Sequence, residues 1–75
     1  MAFENVPMVQ LPESSHVSEA GYDPVGRFIV VRYRRGGGGI YHGASQEEFE
    51  ALIASDHPGS YIHSTLKGKY GYEAI

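Results

Sequence analysis

The 75-residue sequence has no cysteine, no tryptophan, only six lysines and arginines, and no long apolar run. Without cysteine there is no disulfide to staple the chain, and the composition fits a reducing compartment. Domains near this size bury only ~60% of the surface that their unfolded chains expose. Support from a bound ligand or from self-association is therefore expected, and a homo-oligomer is the default. Nothing approaches the roughly 18 apolar residues that a membrane span needs. The opening MAFENVPMVQLP lacks the basic start and unbroken apolar core of a secretory signal. These absences lead us to expect one cytoplasmic domain with no membrane partner. The shortage of basic residues, with a net charge of −3, also counts against general electrostatic coating of long nucleic acid.

The charges that are present are segregated. Glu4, Glu13, Glu19 and Asp23 come first, then Arg27, Arg32, Arg34 and Arg35, then Glu47, Glu48, Glu50 and Asp56, then Lys67 and Lys69. Any anion site must be local. Residues 1–13 form an arm that is too apolar for a solvated tail, with Phe3, Val6, Met8, Val9 and Leu11. It is expected to pack in part, as an edge strand or across a partner, because Pro7 and Pro12 keep it out of a sheet centre. Residues 14–75 read as a single domain. Ser14 to Tyr22 reads as a strand bulged near Gly21, and Asp23-Pro24-Val25-Gly26 as a type I turn.

RFIVVRY, residues 27–33, is the strongest strand signal, with Ile29, Val31 and Tyr33 on one face and Phe28, Val30 and Arg32 on the other. The second face should meet the arm or another subunit. A short strand resumes at Ile40. Ser45-Gln46-Glu47-Glu48 is a capping box that starts a helix, Phe49, Leu52 and Ile53 form its apolar stripe, and Pro58-Gly59 stops it. A second short helix after Ser60 would bury Tyr61, Ile62, Thr65 and Leu66. The expected fold is α+β: a three- to four-stranded antiparallel sheet, one main helix on one face, and a second short helix near the C-terminus.

This order of elements resembles the KTSC domain, a small module found at the carboxy terminus of some lysyl-tRNA synthetases and as stand-alone bacterial and phage proteins. SSHVSEAGYD (14–23), FIVVRYRRGG (28–37), YHG (41–43) and SDHPGSYIHSTLKGKY (55–70) carry the resemblance. It implies an α+β domain without established enzymatic activity, and RNA binding by association with the synthetases. The chain departs from the pattern where Gly39 stands at the first position of a Tyr-x-Tyr pair, leaving Tyr41 alone, and where His63 replaces a frequent asparagine.

Four consecutive glycines, Gly36 to Gly39, exceed what a two-residue hairpin turn requires, since each costs about 0.5–1 kcal/mol relative to alanine. Successive unhindered amides of Gly36, Gly37 and Gly38 could form an anion-binding nest, with Arg34 and Arg35 supplying charge and Lys67 and Lys69 approaching from the last segment. The plain alternative is a mobile tip with solvated arginines. No Gly-Lys-Ser/Thr follows, so this is not a P-loop. Of six tyrosines, Tyr22, Tyr33 and Tyr61 are assigned to the core, and Tyr41, Tyr70 and Tyr72 to ligand or partner contact. His63 is a candidate hydrogen-bond donor to a ligand. The histidines lack metal-ligand spacing, so neither metal nor cofactor is expected, and no arrangement of serine, histidine and carboxylate points to catalysis.

The function expected is a non-catalytic binding module for a phosphate-bearing ligand, a small nucleotide in preference to long RNA, as in a phage-type protein that sequesters a host nucleotide signal. An RNA-binding module and a protein-docking inhibitor are the alternatives.

Overall fold

In the computed structural model, which describes residues 6–75, five antiparallel strands lie side by side in chain order. They are β1 (Met8–Gln10), β2 (Val17–Asp23), β3 (Phe28–Tyr33), β4 (Gly38–His42) and β5 (Gly71–Ala74). Between β4 and β5 the chain forms α1 (Gln46–Ala54) and α2 (Pro58–Tyr61), which runs directly into a π-helical turn, Ile62–Leu66. The α+β class is as expected, but the sheet has five strands rather than three or four. The strand beyond those expected is β5, at the edge opposite the arm.

The first edge is the arm. Met8 pairs with Gly21 and Gln10 with Glu19, while Phe3 and Glu4 lie outside the described residues. Gly21 is what lets the arm cross so closely, because a Cβ there would stand 2.6 Å from Met8 Sδ and 2.8 Å from Val6 Cγ1. The β2 bulge lies between Val17 and Glu19 rather than at Gly21, and Ser18 Oγ there donates to the Arg32 carbonyl at 3.2 Å.

The two faces of β3 serve two cores. Ile29 and Val31 join Val17, Tyr41, Leu52 and Leu66 beneath the helices, with Phe49 and Ile53 packed against them. Phe28, Val30 and Ile40 are buried on the opposite face together with Val6, and Met8 packs over them. The arm therefore covers the second face, and the apolar surface on which a dimer was expected is already occupied within one chain.

Helix α1 begins where Ser45 Oγ accepts from the Glu48 amide at 3.2 Å. Only half of the capping box forms. The Glu48 carboxylate turns instead toward the C-terminal segment, accepting from the Tyr61 hydroxyl, from the Tyr70 hydroxyl at 3.0 Å and from Lys69 Nζ at 3.0 Å. This junction ties α1 to α2 and to the segment that delivers β5. No helix among the described residues is long and apolar enough to cross a membrane.

Candidate functional site

The glycine run does two different jobs. Tyr33-Arg34-Arg35-Gly36 is the reverse turn, closed by the Gly36 amide donating to the Tyr33 carbonyl at 3.1 Å, and left-handed backbone at Gly36 and Gly37 (φ 104° and 73°) steers the chain back. This is the three-residue type of hairpin with glycine in the left-handed position, not a Gly-Gly turn. Gly38 and Gly39 already belong to β4 and are buried. The Gly38 amide donates to the Ile75 carbonyl at 3.2 Å, so the row of free amides that a nest needs is not there. β5 takes up the donors that the sequence left unassigned.

The two arginines at the tip also part company. Arg34 donates from Nε to the Ser14 carbonyl at 2.6 Å and from Nη2 to the Leu11 carbonyl at 2.8 Å, and its amide donates to the His16 carbonyl at 2.9 Å. It clamps the loop before β2. Arg35 is exposed, with no ion-pair partner among the described residues.

That exposed guanidinium stands on the rim of a cleft of about 880 Å3 between the open end of the sheet and the π-helical turn. Tyr33, Tyr41 and Tyr72 come from the sheet, His16 from the clamped loop, and His63 and Lys67 from the opposite wall. Its volume falls within the ~300–1,000 Å3 of small-molecule sites. The π-helical turn, closed by the Lys67 amide donating to the Ile62 carbonyl at 2.9 Å, buries Ile62 and Leu66 and leaves His63, Ser64 and Lys67 on the cleft wall. Such turns are frequent at functional sites. Gly59 allows the wall to approach, since a Cβ there would stand 3.2 Å from His16 Cβ.

Of the ten residues expected at a site, Arg35, Gly36, Tyr41, His63 and Lys67 line this one cleft, and Arg34, Gly37, Gly38, Lys69 and Tyr70 do not. Lys69 and Tyr70 are committed to Glu48. The Tyr61 hydroxyl, followed by Lys69 and Tyr70, holds the Glu48 carboxyl below its ordinary value against the opposing effect of burial, and Glu48 in turn raises Lys69. Ser15, His16, Ser60, Ser64 and Tyr72 were not singled out by sequence as site residues, although Tyr72 was among the outward-facing tyrosines. Nothing in the sequence marks the serines.

Tyr41 departs from its expected role. It is fully buried (0% exposed), so it is a core residue as well as a wall of the cleft, whereas Tyr22, Tyr33 and Tyr61 are only half-buried. Its hydroxyl has no hydrogen-bond partner among the described residues. Burial, with the Tyr33 phenol adding to it, pushes the Tyr41 hydroxyl well above its ordinary value, so it stays a neutral donor. At Gly39, where the resemblance leads one to expect a second tyrosine, the ring of Tyr72 fills the space: a Cβ there would stand 3.1 Å from its Cζ and 3.2 Å from its hydroxyl. The Tyr41 and Tyr72 rings are 5.2 Å apart between centroids. An aromatic pair is therefore present, supplied from β5.

A five-stranded meander with one face under helices, and a tyrosine-lined cleft at one end, places this chain among small α+β domains. The sequence profile of the KTSC domain matches residues 13–70, and the chain belongs to the KTSC domain family. It is 29% identical over 67 residues to a curated protein of Tsukamurella paurometabola, covering 89% of this chain and all of that protein. Its fold is similar to the crystal structure of a KTSC domain protein from Yersinia pestis, with a TM-score of 0.84 at 23% identity, covering 93% of this chain and 97% of the other.

Proposed function

We propose that the protein is a non-catalytic binding module for a small phosphate-bearing ligand, with a nucleotide as the preferred class. The observation that carries the reading is the chemistry of the cleft. In a chain with three more acidic than basic residues, its lining among the described residues holds Arg35, Lys67, two histidines, three serines and three tyrosines, and no carboxylate. Guanidinium and ammonium groups at the rim suit phosphate oxygens.

Binding is preferred to turnover on chemical grounds. Ser15 Oγ lies 3.0 Å from His16 Nδ1, but the pair is exposed, and no carboxylate among the cleft residues could orient the imidazole. A module that holds its ligand without transforming it would serve to sequester that ligand.

The test is a melting and titration screen with nucleoside mono-, di- and cyclic phosphates. A ligand at 100 times its dissociation constant should stabilise the fold by ~2.7 kcal/mol. Arg35→Ala and Lys67→Ala should each weaken binding at least tenfold and leave the melting temperature of the free protein within about 2 °C. No stabilisation across the panel would overturn the reading. Salt separates it from RNA binding: two phosphate contacts give a slope of about −1.4 in log affinity against log salt for a single strand. A much steeper slope with oligonucleotides would favour RNA running beyond the cleft.

A further inference from the structure

We infer that Tyr72 is the surface on which the planar ring of the ligand stacks, so that the cleft selects nucleotides over phosphates that lack a ring. The inference rests on the phosphate-ligand reading and adds a specificity residue to it. Tyr72 is the one exposed tyrosine lining the cleft among the described residues, at 46%. β5, which presents it, is exposed along its whole length. Its ring is nonetheless held in place.

One side of the ring is set over Gly39, and Tyr41 supports it at 5.2 Å with planes inclined by 49°. Glycine inside a strand normally weakens it and often marks a close approach. Here the missing side chain of Gly39 seats the Tyr72 ring. A ring backed by the sheet, flanked by a second ring and open on the side of the cleft pays little conformational entropy when another ring settles on it. Arg35 and Lys67 line the same cleft. A ligand that uses both the rim cations and the exposed ring must carry an anionic group and a flat ring together.

The experiment titrates the wild type, Tyr72→Phe and Tyr72→Leu with AMP, GMP, CMP, UMP and ribose 5-phosphate. At least one nucleotide should bind the wild type tenfold or more tightly than ribose 5-phosphate. Tyr72→Phe should stay within about twofold of wild type. Tyr72→Leu should lose about 5- to 150-fold for that nucleotide, the range expected when a stacking aromatic is removed, and nothing for ribose 5-phosphate.

If ribose 5-phosphate binds as tightly as every nucleotide, or if Tyr72→Leu leaves nucleotide affinity intact while Arg35→Ala abolishes it, the stacking inference falls and the phosphate reading stands. If none of the five probes binds and the nucleoside di- and cyclic phosphates of the melting screen give no stabilisation either, both fall. Should Tyr72→Leu melt before it can be titrated, the ring protons of Tyr72 in the wild type decide: a stacked base shifts them upfield on saturation, and unmoved resonances overturn the inference.

Discussion

Replacing Arg34 with alanine separates the two arginines that adjoin the glycine run. The Arg34 guanidinium makes two part-buried hydrogen bonds to main-chain carbonyls of the loop before β2. Charge-assisted bonds of this kind are worth about 1.5–3 kcal/mol each when desolvated. Partial exposure lets water replace some of that, and the Leu11 carbonyl keeps the Ser14 amide as a partner at 3.2 Å. Halving that range for each of the two bonds gives a loss of about 1.5–3 kcal/mol for Arg34→Ala. For a domain this small, each kcal/mol moves the midpoint by about 4–8 °C, so a drop of roughly 6–24 °C is expected.

Arg35→Ala removes no hydrogen bond among the described residues and should melt within about 2 °C of the wild type, inside the ±0.5 kcal/mol of ordinary surface changes. Arg34→Lys retains the charge but lacks the planar fork that reaches two carbonyls at once, so it should recover less than half of the loss. Thermal denaturation followed by circular dichroism gives all four midpoints. If Arg34→Ala and Arg35→Ala melt together, the clamp is not a clamp, and the reasoning that removed Arg34 from the candidate site is refuted.

The Glu48 carboxyl has its folded value lowered, so the unfolded chain binds the extra proton. The stability it provides is complete above the ordinary carboxylate range and is lost as pH falls through the folded value. Melts from pH 7 to pH 3 should show this, and Glu48→Gln should flatten the acid limb; an unchanged limb in that variant would place the acid sensitivity elsewhere. Gly21→Ala should cost about 1–3 kcal/mol by overpacking against the arm and make the arm susceptible to limited proteolysis, whereas an unaffected melt would deny the close crossing. Gly39→Ala should destabilise by a similar amount, and pairing it with Tyr72→Ala should recover most of that cost; strict additivity of the two would show that the ring and the glycine do not touch.

Strand β3 and helix α1 were readable because their residues obey simple periods. FIVVRY is dense in branched side chains, and Phe49, Leu52 and Ile53 recur at helical spacing behind a serine cap. The arm was readable as an edge strand because two prolines bracket it. β5 was hidden, and for one reason it was hidden together with half of β4. Its residues, Gly71-Tyr72-Glu73-Ala74, are all exposed, so no alternation of burial marks them. Its partner begins with Gly38-Gly39, which composition alone assigns to a turn. Once those glycines were taken for a nest, the pairing that uses their backbone had nowhere to go.

The candidate site was legible in part for a related reason. The charges Arg35 and Lys67 could be named from sequence, because an anion site in an acidic chain must draw on few cations. Which of two adjacent arginines is tied to main-chain carbonyls depends on a turn geometry that the sequence does not display. Tyr41 was misjudged because Gly39-Ile40-Tyr41-His42 offers an apolar residue to each face, and only the packing of two cores decides that both are covered. The Glu48 junction joins residues 13 to 22 positions apart, and no local pattern announces it.

The order of the strands bears on how the molecule assembles. β1 to β4 are joined by short hairpins and can zip in succession, while β5 must wait for the 28 residues from 43 to 70 to be laid down as helices. Closing such a loop is entropically slower than closing a hairpin. The outermost ribbon is then the last to form and the first to fray. Amide exchange should accordingly be fastest along residues 71–74, and a ligand that settles on that ribbon would report its own arrival by slowing it.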